Sequence, residues 1–134
     1  MINEVPYEQV LEIRRKAMYP DKDKEFVKLA DDERGIHMGY YVDGLPVSVF
    51  SLFLKDGELQ FRKFATLPEH QNNGYGTKLM EWLLDYAKDM KFARVWCNAR
   101  VNKTEFYTRF GFVETDEKFE KNGYEYVIME YRQQ

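Results

Sequence analysis

Residues 58–84 read ELQFRKFATLPEHQNNGYGTKLMEWLL, and the reading of this stretch decides the fold. Its first part, ELQFRKFAT, is aromatic-rich and reads as a strand that ends at Thr66. Further on, Leu79, Met80, Leu83, Leu84, Ala87 and Met90 fall on one helical face. Lys78, Glu81, Asp85 and Lys88 fall on the opposite face. Between strand and helix lies QNNGYG, residues 71–76. Glycine lets backbone N–H groups approach a ligand without a Cβ in the way. A helix that starts there aims its unpaired amides at whatever sits in the loop, which suits a phosphate or diphosphate. Taken alone, two glycines that merely relieve backbone strain explain the loop as well.

Working outward, IHMGYYV (36–42), LPVSVFSLFL (45–54) and ELQFRKFAT (58–66) are three strands. Asp43-Gly44 and Asp56-Gly57 join them as tight hairpin turns, giving an antiparallel meander. PYEQVLEIRRKAM (6–18) reads as a helix with Pro6 in its first turn and Val10, Ile13 and Ala17 as one apolar stripe. Glu8 and Glu12 come early and Arg14, Arg15 and Lys16 late, as the helix dipole prefers. The charged connection 19–35 holds a short helix around Phe26–Leu29. Downstream, ARVWCN (93–98) is a buried strand, followed by a short helix that Asn102 and Glu105 cap and Gly111 stops. FVET (112–115) and YEYVIMEY (124–131) are the last strands, turned at Asn122-Gly123. The order α-βββ-α-β-α-ββ predicts an α/β layer fold with one right-handed crossover through the 74–90 helix.

The composition narrows the function. At 134 residues with no repeat or linker, the chain is expected to form one domain, residues 1–134. Hydrophobic residues make up 44%, aromatic ones 16% and charged ones 32%, as in a packed globular protein. The net charge of −3 provides no basic field for nucleic acid. One cysteine, Cys97, excludes an internal disulfide, and two histidines, His37 and His70, lack ligand spacing with it, so no metal is expected. The polar N-terminus and the lack of a long apolar run predict a cytoplasmic protein with no membrane partner.

Familiar phosphate loops do not fit QNNGYG. GYGTK has the residues of a Walker A loop in the wrong arrangement, and Leu79 stands where a dinucleotide fingerprint wants a third small residue. What fits is a combination: a strand ending FAT, then Pro68, then QNNGYG leading into GTKLMEWLL, with NARVNKTEFYTRFGF after the next strand. Through this Q-x-x-G-x-G loop and the FY-x-x-x-GF segment, the sequence resembles the GNAT superfamily of acetyl-coenzyme-A-dependent N-acetyltransferases. The marked part runs from about residue 58 to 113, and the element order agrees over nearly the whole chain. The C-terminal stretch looks like that of small stand-alone bacterial-type members.

The resemblance implies a GNAT fold: a mixed, mostly antiparallel central sheet of six to seven strands, splayed at the middle and flanked by helices. It implies acetyl-coenzyme A as co-substrate, bound in the cleft between strands 58–66 and 93–98. Gln71, Asn72, Asn73, Gly74, Tyr75 and Gly76 would cradle the diphosphate. Phe64, Ala65 and Thr66 would offer the strand edge that pairs with pantetheine, and an amide there would polarise the thioester carbonyl. Asn98 and Asn102 would touch pantetheine or the acetyl group. Tyr107 would be the general acid for the departing thiolate, with aromatic packing as its competing role.

The implied reaction is direct attack by a primary amine of a small molecule, protein or peptide, within a ternary complex. A general base is not assigned. Gln60 occupies the strand position where the histone-acetyltransferase branch carries glutamate, and Glu12, Glu58 and Glu69 are candidates through ordered water. Arg14, Arg62 and Arg100 are candidates for a substrate carboxylate, with solvation as the ordinary alternative. The acceptor pocket is expected from the first helix, the 19–35 connection and the last hairpin. The rival reading is a GNAT-like module that binds an acyl-coenzyme A or a metabolite without turnover. Monomer and homodimer are both compatible with the residues.

Overall fold

Three dipeptides fix which strands pair. At Asp43-Gly44, Asp56-Gly57 and Asn122-Gly123 both residues take positive φ, 52° and 82°, 54° and 76°, and 53° and 82°. Two consecutive left-handed residues turn a chain with the twist that antiparallel strands require. The computed structural model describes residues 1–133. Its elements are β1 (Ile2–Glu4), α1 (Tyr7–Met18), β2 (Ile36–Val42), β3 (Leu45–Lys55), β4 (Glu58–Thr66), α2 (Tyr75–Asp89), β5 (Arg94–Arg100), α3 (Thr104–Thr108), β6 (Val113–Lys121) and β7 (Tyr124–Arg132). They form an α/β fold around a seven-stranded, mostly antiparallel sheet in the order β1-β2-β3-β4-β5-β7-β6. The chain divides into two compact units, Met1–Phe53 with Phe61–Leu83 and Leu54–Gln60 with Leu84–Gln134.

The first unit carries an apolar cluster of Val5, Val10, Ile13, Val49 and Ala65, with Ala17 and Met18 packed against it. The α1 stripe therefore lies where its spacing predicts. Arg14 does not. It is fully buried, not a solvated residue of the last turn. Its Nη1 donates to the Val27 carbonyl and to Asp32 Oδ2, and its Nη2 to Asp32 Oδ1 and Ser51 Oγ, all at 2.9 Å. The Tyr7 hydroxyl donates to Asp32 Oδ2 at 2.6 Å and the Leu29 amide to the same oxygen at 3.0 Å. His37 Nε2 donates to the Asp32 carbonyl at 3.0 Å, so Nδ1 accepts from the Ser51 hydroxyl at 2.7 Å. This network anchors the 19–35 connection, which forms 3₁₀ turns at Glu25–Val27 and Asp32–Arg34 and not the expected helix at Phe26–Leu29.

The second unit pairs β5 with β7 antiparallel from Arg94↔Arg132 to Arg100↔Tyr126, and the first residues of β4 with β5 in parallel from Glu58↔Arg94 to Gln60↔Trp96. Val95, Cys97 and Ala99 on β5 and Val127 and Met129 on β7 are buried. Arg94 bridges Glu130 at 2.6 Å and Glu58 at 3.3 Å.

Four further points differ from the expectation. β1 was not foreseen, because three residues carry no period. β6 runs to Lys121, since an exposed edge strand is held by backbone pairing and not by an apolar pattern. Met90 is 55% exposed beyond the end of α2, while Leu79, Met80, Leu83 and Ala87 are fully buried. Asn102 caps nothing: a 3₁₀ turn over Val101–Lys103 intervenes, and α3 starts at Thr104 without a side-chain cap. Gly111 is the expected stop, with φ 97° and the Phe112 amide donating back to the Tyr107 carbonyl at 3.3 Å.

Burial alone would raise the Asp32 carboxyl, but Arg14, the Leu29 amide and Tyr7 outweigh it and push the pKa down to about 2. A carboxyl depressed in the folded state adds stability that is present above about pH 4 and is lost as pH falls through about 2. Asp32→Asn should lower stability at neutral pH by about 3–5 kcal/mol, because it strands a buried guanidinium. The gap to the parent should narrow by about 2 kcal/mol between pH 4 and pH 2, as read from urea unfolding.

Candidate functional site

The site begins with an extra residue in β4. Lys63 has φ 53°, inside a strand that contains no glycine. In a regular strand, residues 61 and 64 point to opposite faces. Here Phe61 and Phe64 both meet the Phe50 ring, at 6.3 and 5.3 Å, and each other at 6.3 Å. A bulge at Lys63 accounts for both observations. Phe50 also meets Trp82 of α2 at 6.3 Å, so the two phenylalanines lie on the α2 face. Past the bulge, Ala65 joins the α1 cluster. Lys63 turns to that same side, its Nζ lying 5.3 Å from the centroid of the Tyr19 ring.

Thr66 ends β4 with Oγ1 2.8 Å from the buried Ser48 hydroxyl. The Gln71 side-chain amide donates to the Thr66 carbonyl at 3.2 Å and so ties the loop to the strand end. Asn73 Nδ2 donates to the carbonyls of His70 and Gln71, at 3.1 and 3.2 Å. Asn72 and Gly74 take φ 65° and 80°, and a Cβ built at Gly74 would meet nothing within 4 Å. Tyr75 opens α2 and Gly76 follows it. The Lys78 amide bonds to the Gly74 carbonyl at 3.1 Å, so the amides of Tyr75, Gly76 and Thr77 precede the first intrahelical bond. No acidic residue stands in this first turn. The Tyr75 ring stacks on Tyr40 of β2 at 4.7 Å and 19°. Gln71, Asn72, Asn73 and Gly74 are exposed, and the loop has the open, amide-lined form that an anionic group fits.

The remaining candidates lie in the second unit. Tyr107 sits in α3, half-buried, with its ring 5.3 Å from Phe106 and 6.2 Å from Phe112. Burial, reinforced by the neighbouring Cys97, holds its hydroxyl above the ordinary tyrosine range. Cys97 is itself raised by burial and stays a thiol. Asn98 is exposed on β5, and Asn102 is exposed in the 3₁₀ turn.

The candidate bases are mostly committed elsewhere. Glu12 is bonded to Arg15 at 2.7 Å, a contact that holds its carboxyl below the usual range, and Glu58 bridges Arg94. Among the arginines, Arg14 is spent on Asp32, and the Arg100 guanidinium lies 3.9 Å from the centroid of the Tyr124 ring. Three features escaped the sequence: the bulge, the Tyr40–Tyr75 stack and the Arg14–Asp32 network. A lysine with positive φ has no sequence signature, and partners 35 residues apart have none either.

The fold is an open mixed α/β sheet with an amide-lined glycine loop at the start of α2. The family model for the acetyltransferase (GNAT) domain matches residues 2–133. The chain belongs to this GNAT family and is an N-acetyltransferase. It is 26% identical over 140 residues to a Bacillus subtilis (strain 168) protein described as uncharacterized N-acetyltransferase YitI, covering 98% of this chain and 94% of that one. The ribosomal-protein-S18-alanine N-acetyltransferase from Escherichia coli shares the fold with a TM-score of 0.82 at 19% identity, over 98% of this chain and 92% of that one. A GNAT family acetyltransferase from Elizabethkingia anophelis with acetyl-CoA bound has a TM-score of 0.75 at 17% identity, over 99% and 97% of the two chains. No helix among the described residues is long and apolar enough to cross a membrane.

Because the space beside Gly74 is open, replacing it tests backbone strain alone. Gly74→Ala should cost about 1 kcal/mol in urea unfolding. A loss several times larger would show that a side chain meets something there.

Proposed function

We propose that residues 1–134 form one domain that transfers an acetyl group from acetyl-coenzyme A to a primary amine, by direct attack within a ternary complex. The observation that carries this reading is the loop at residues 71–76, with its open glycine and the amides that precede the first bond of α2. Fold neighbours solved with acetyl-CoA or coenzyme A bound support the choice of donor.

In this reading the donor supplies a thioester, and everything else falls to the chain. The amides of residues 72–76 and the positive end of α2 hold the diphosphate without a lysine. Gln71, through its bond to the Thr66 carbonyl, keeps that loop at the end of β4. The edge at Phe64, Ala65 and Thr66 binds the extended pantetheine arm, and an amide there donates to the thioester oxygen as charge develops. Asn98 and Asn102, on the second unit, are further side-chain amides for pantetheine or the acetyl group.

Tyr107 donates its O–H to the sulfur as the carbon–sulfur bond breaks. Its raised pKa keeps the phenol protonated throughout the working range. The same shift makes full proton transfer to a thiolate of pKa about 8.5 uphill, so its contribution is moderate. Gln60 cannot accept the amine proton, and Glu58 is tied to Arg94. In this reading the amine loses its proton to water.

Tyr107→Phe should lower kcat by on the order of 10² while leaving the KM for acetyl-coenzyme A within about twofold, measured by thiol release. A fully active variant removes Tyr107 from the mechanism. In the parent enzyme, kcat/KM should climb with pH toward the acceptor's own pKa, about 10.4 for a lysine-like amine. A plateau near pH 7 would instead reveal a protein base.

A further inference from the structure

Arg62 stands apart from every other buried or half-buried cation in the first unit. It lies on β4 between Phe61 and the bulged Lys63 and is half-buried. Strand alternation places it opposite Phe61, on the α1 side of β4. Among the described residues it makes no hydrogen bond and no ion pair.

Both neighbouring carboxylates are already committed. Asp31 pairs with Arg34, and Asp32 takes both Arg14 nitrogens together with Tyr7 and Leu29. Arg14 and Asp32 cancel, leaving the Arg62 charge unbalanced. Burial holds the guanidinium below its ordinary pKa against the pull of Asp31. The bulge sharpens the imbalance by bringing Lys63 to the same side, where the Tyr19 ring takes its ammonium. A partly desolvated cation of this kind gains most from an anion that arrives with a ligand.

Position selects the ligand. Phe64, where the proposed pantetheine edge begins, is two residues further along β4 across the bulge, no more than about 7 Å even fully extended. An anion held by Arg62 would thus lie a few bonds from an amine at the thioester. We propose that the acceptor is a primary amine bearing a carboxylate and that Arg62 receives that carboxylate through its two-pronged guanidinium. This deepens the acetyltransferase reading and rests on it. It makes Arg62 a specificity-determining residue: it binds the acceptor and takes no part in moving protons.

The test uses the full chain with coenzyme A present, and β-alanine and γ-aminobutyrate against their carboxamides as probes. The Arg62 Nε–H resonance, assigned by its loss in Arg62→Met, should shift with the acids and not with the carboxamides. In thiol-release assays the parent should prefer each acid over its carboxamide by about tenfold or more. That ratio should fall to near one in Arg62→Met and survive in part in Arg62→Lys, which keeps charge without the fork. A resonance that ignores the acids, or answers acid and carboxamide alike, overturns the assignment whatever the turnover. Failure of acetyl transfer itself registers elsewhere, as backbone amides of residues 72–76 left unmoved by acetyl-coenzyme A.

Discussion

One extra residue in β4 sets the geometry on which the site depends. A strand has two faces and alternates between them, so an inserted residue exchanges the faces of everything downstream. With the bulge at Lys63, Phe61 and Phe64 share the α2 side around Phe50, while Ala65 drops into the α1 cluster. Without it, Phe64 would lose its aromatic partners and Ala65 would leave that cluster. The left-handed φ of a lysine costs about 1 kcal/mol, and the rings and cluster on either side offset it.

The Arg14–Asp32 pair is a second constraint, of a different kind. A buried ion pair is a poor source of net stability, because desolvation consumes most of the attraction. It is effective at specifying an arrangement, since four elements must meet correctly for its hydrogen bonds to form. Here it draws together α1, the 3₁₀ turn at residues 32–34, the Val27 carbonyl and Ser51 of β3. The charged connection 19–35, which has no apolar period of its own, is held by this polar network.

The two constraints define the chemistry available on each side of β4. The α2 side ends in a loop of main-chain donors, tied to the strand by Gln71 and braced by the Tyr40–Tyr75 stack. The α1 side carries cations, of which Arg14 is neutralised and Lys63 lies over a ring. Among the described residues, Asp31, Asp32 and Glu58 near the strand are each paired with an arginine.

The sequence by itself determined the local grammar. Asp-Gly and Asn-Gly fixed three turns, because few residues tolerate two consecutive positive φ values. Helical spacing fixed α1 and α2, and QNNGYG between a strand and a helix fixed the loop and, through its resemblance, the family. Tertiary structure decided what has no local signal: a left-handed lysine in β4, a three-residue β1, the exposed edge β6 and the burial of Arg14. Each of these is held by partners distant along the chain, as Arg14 is by Asp32 and Ser51. A residue's type states what it can bond to, and only the folded chain brings it the atom with which it does.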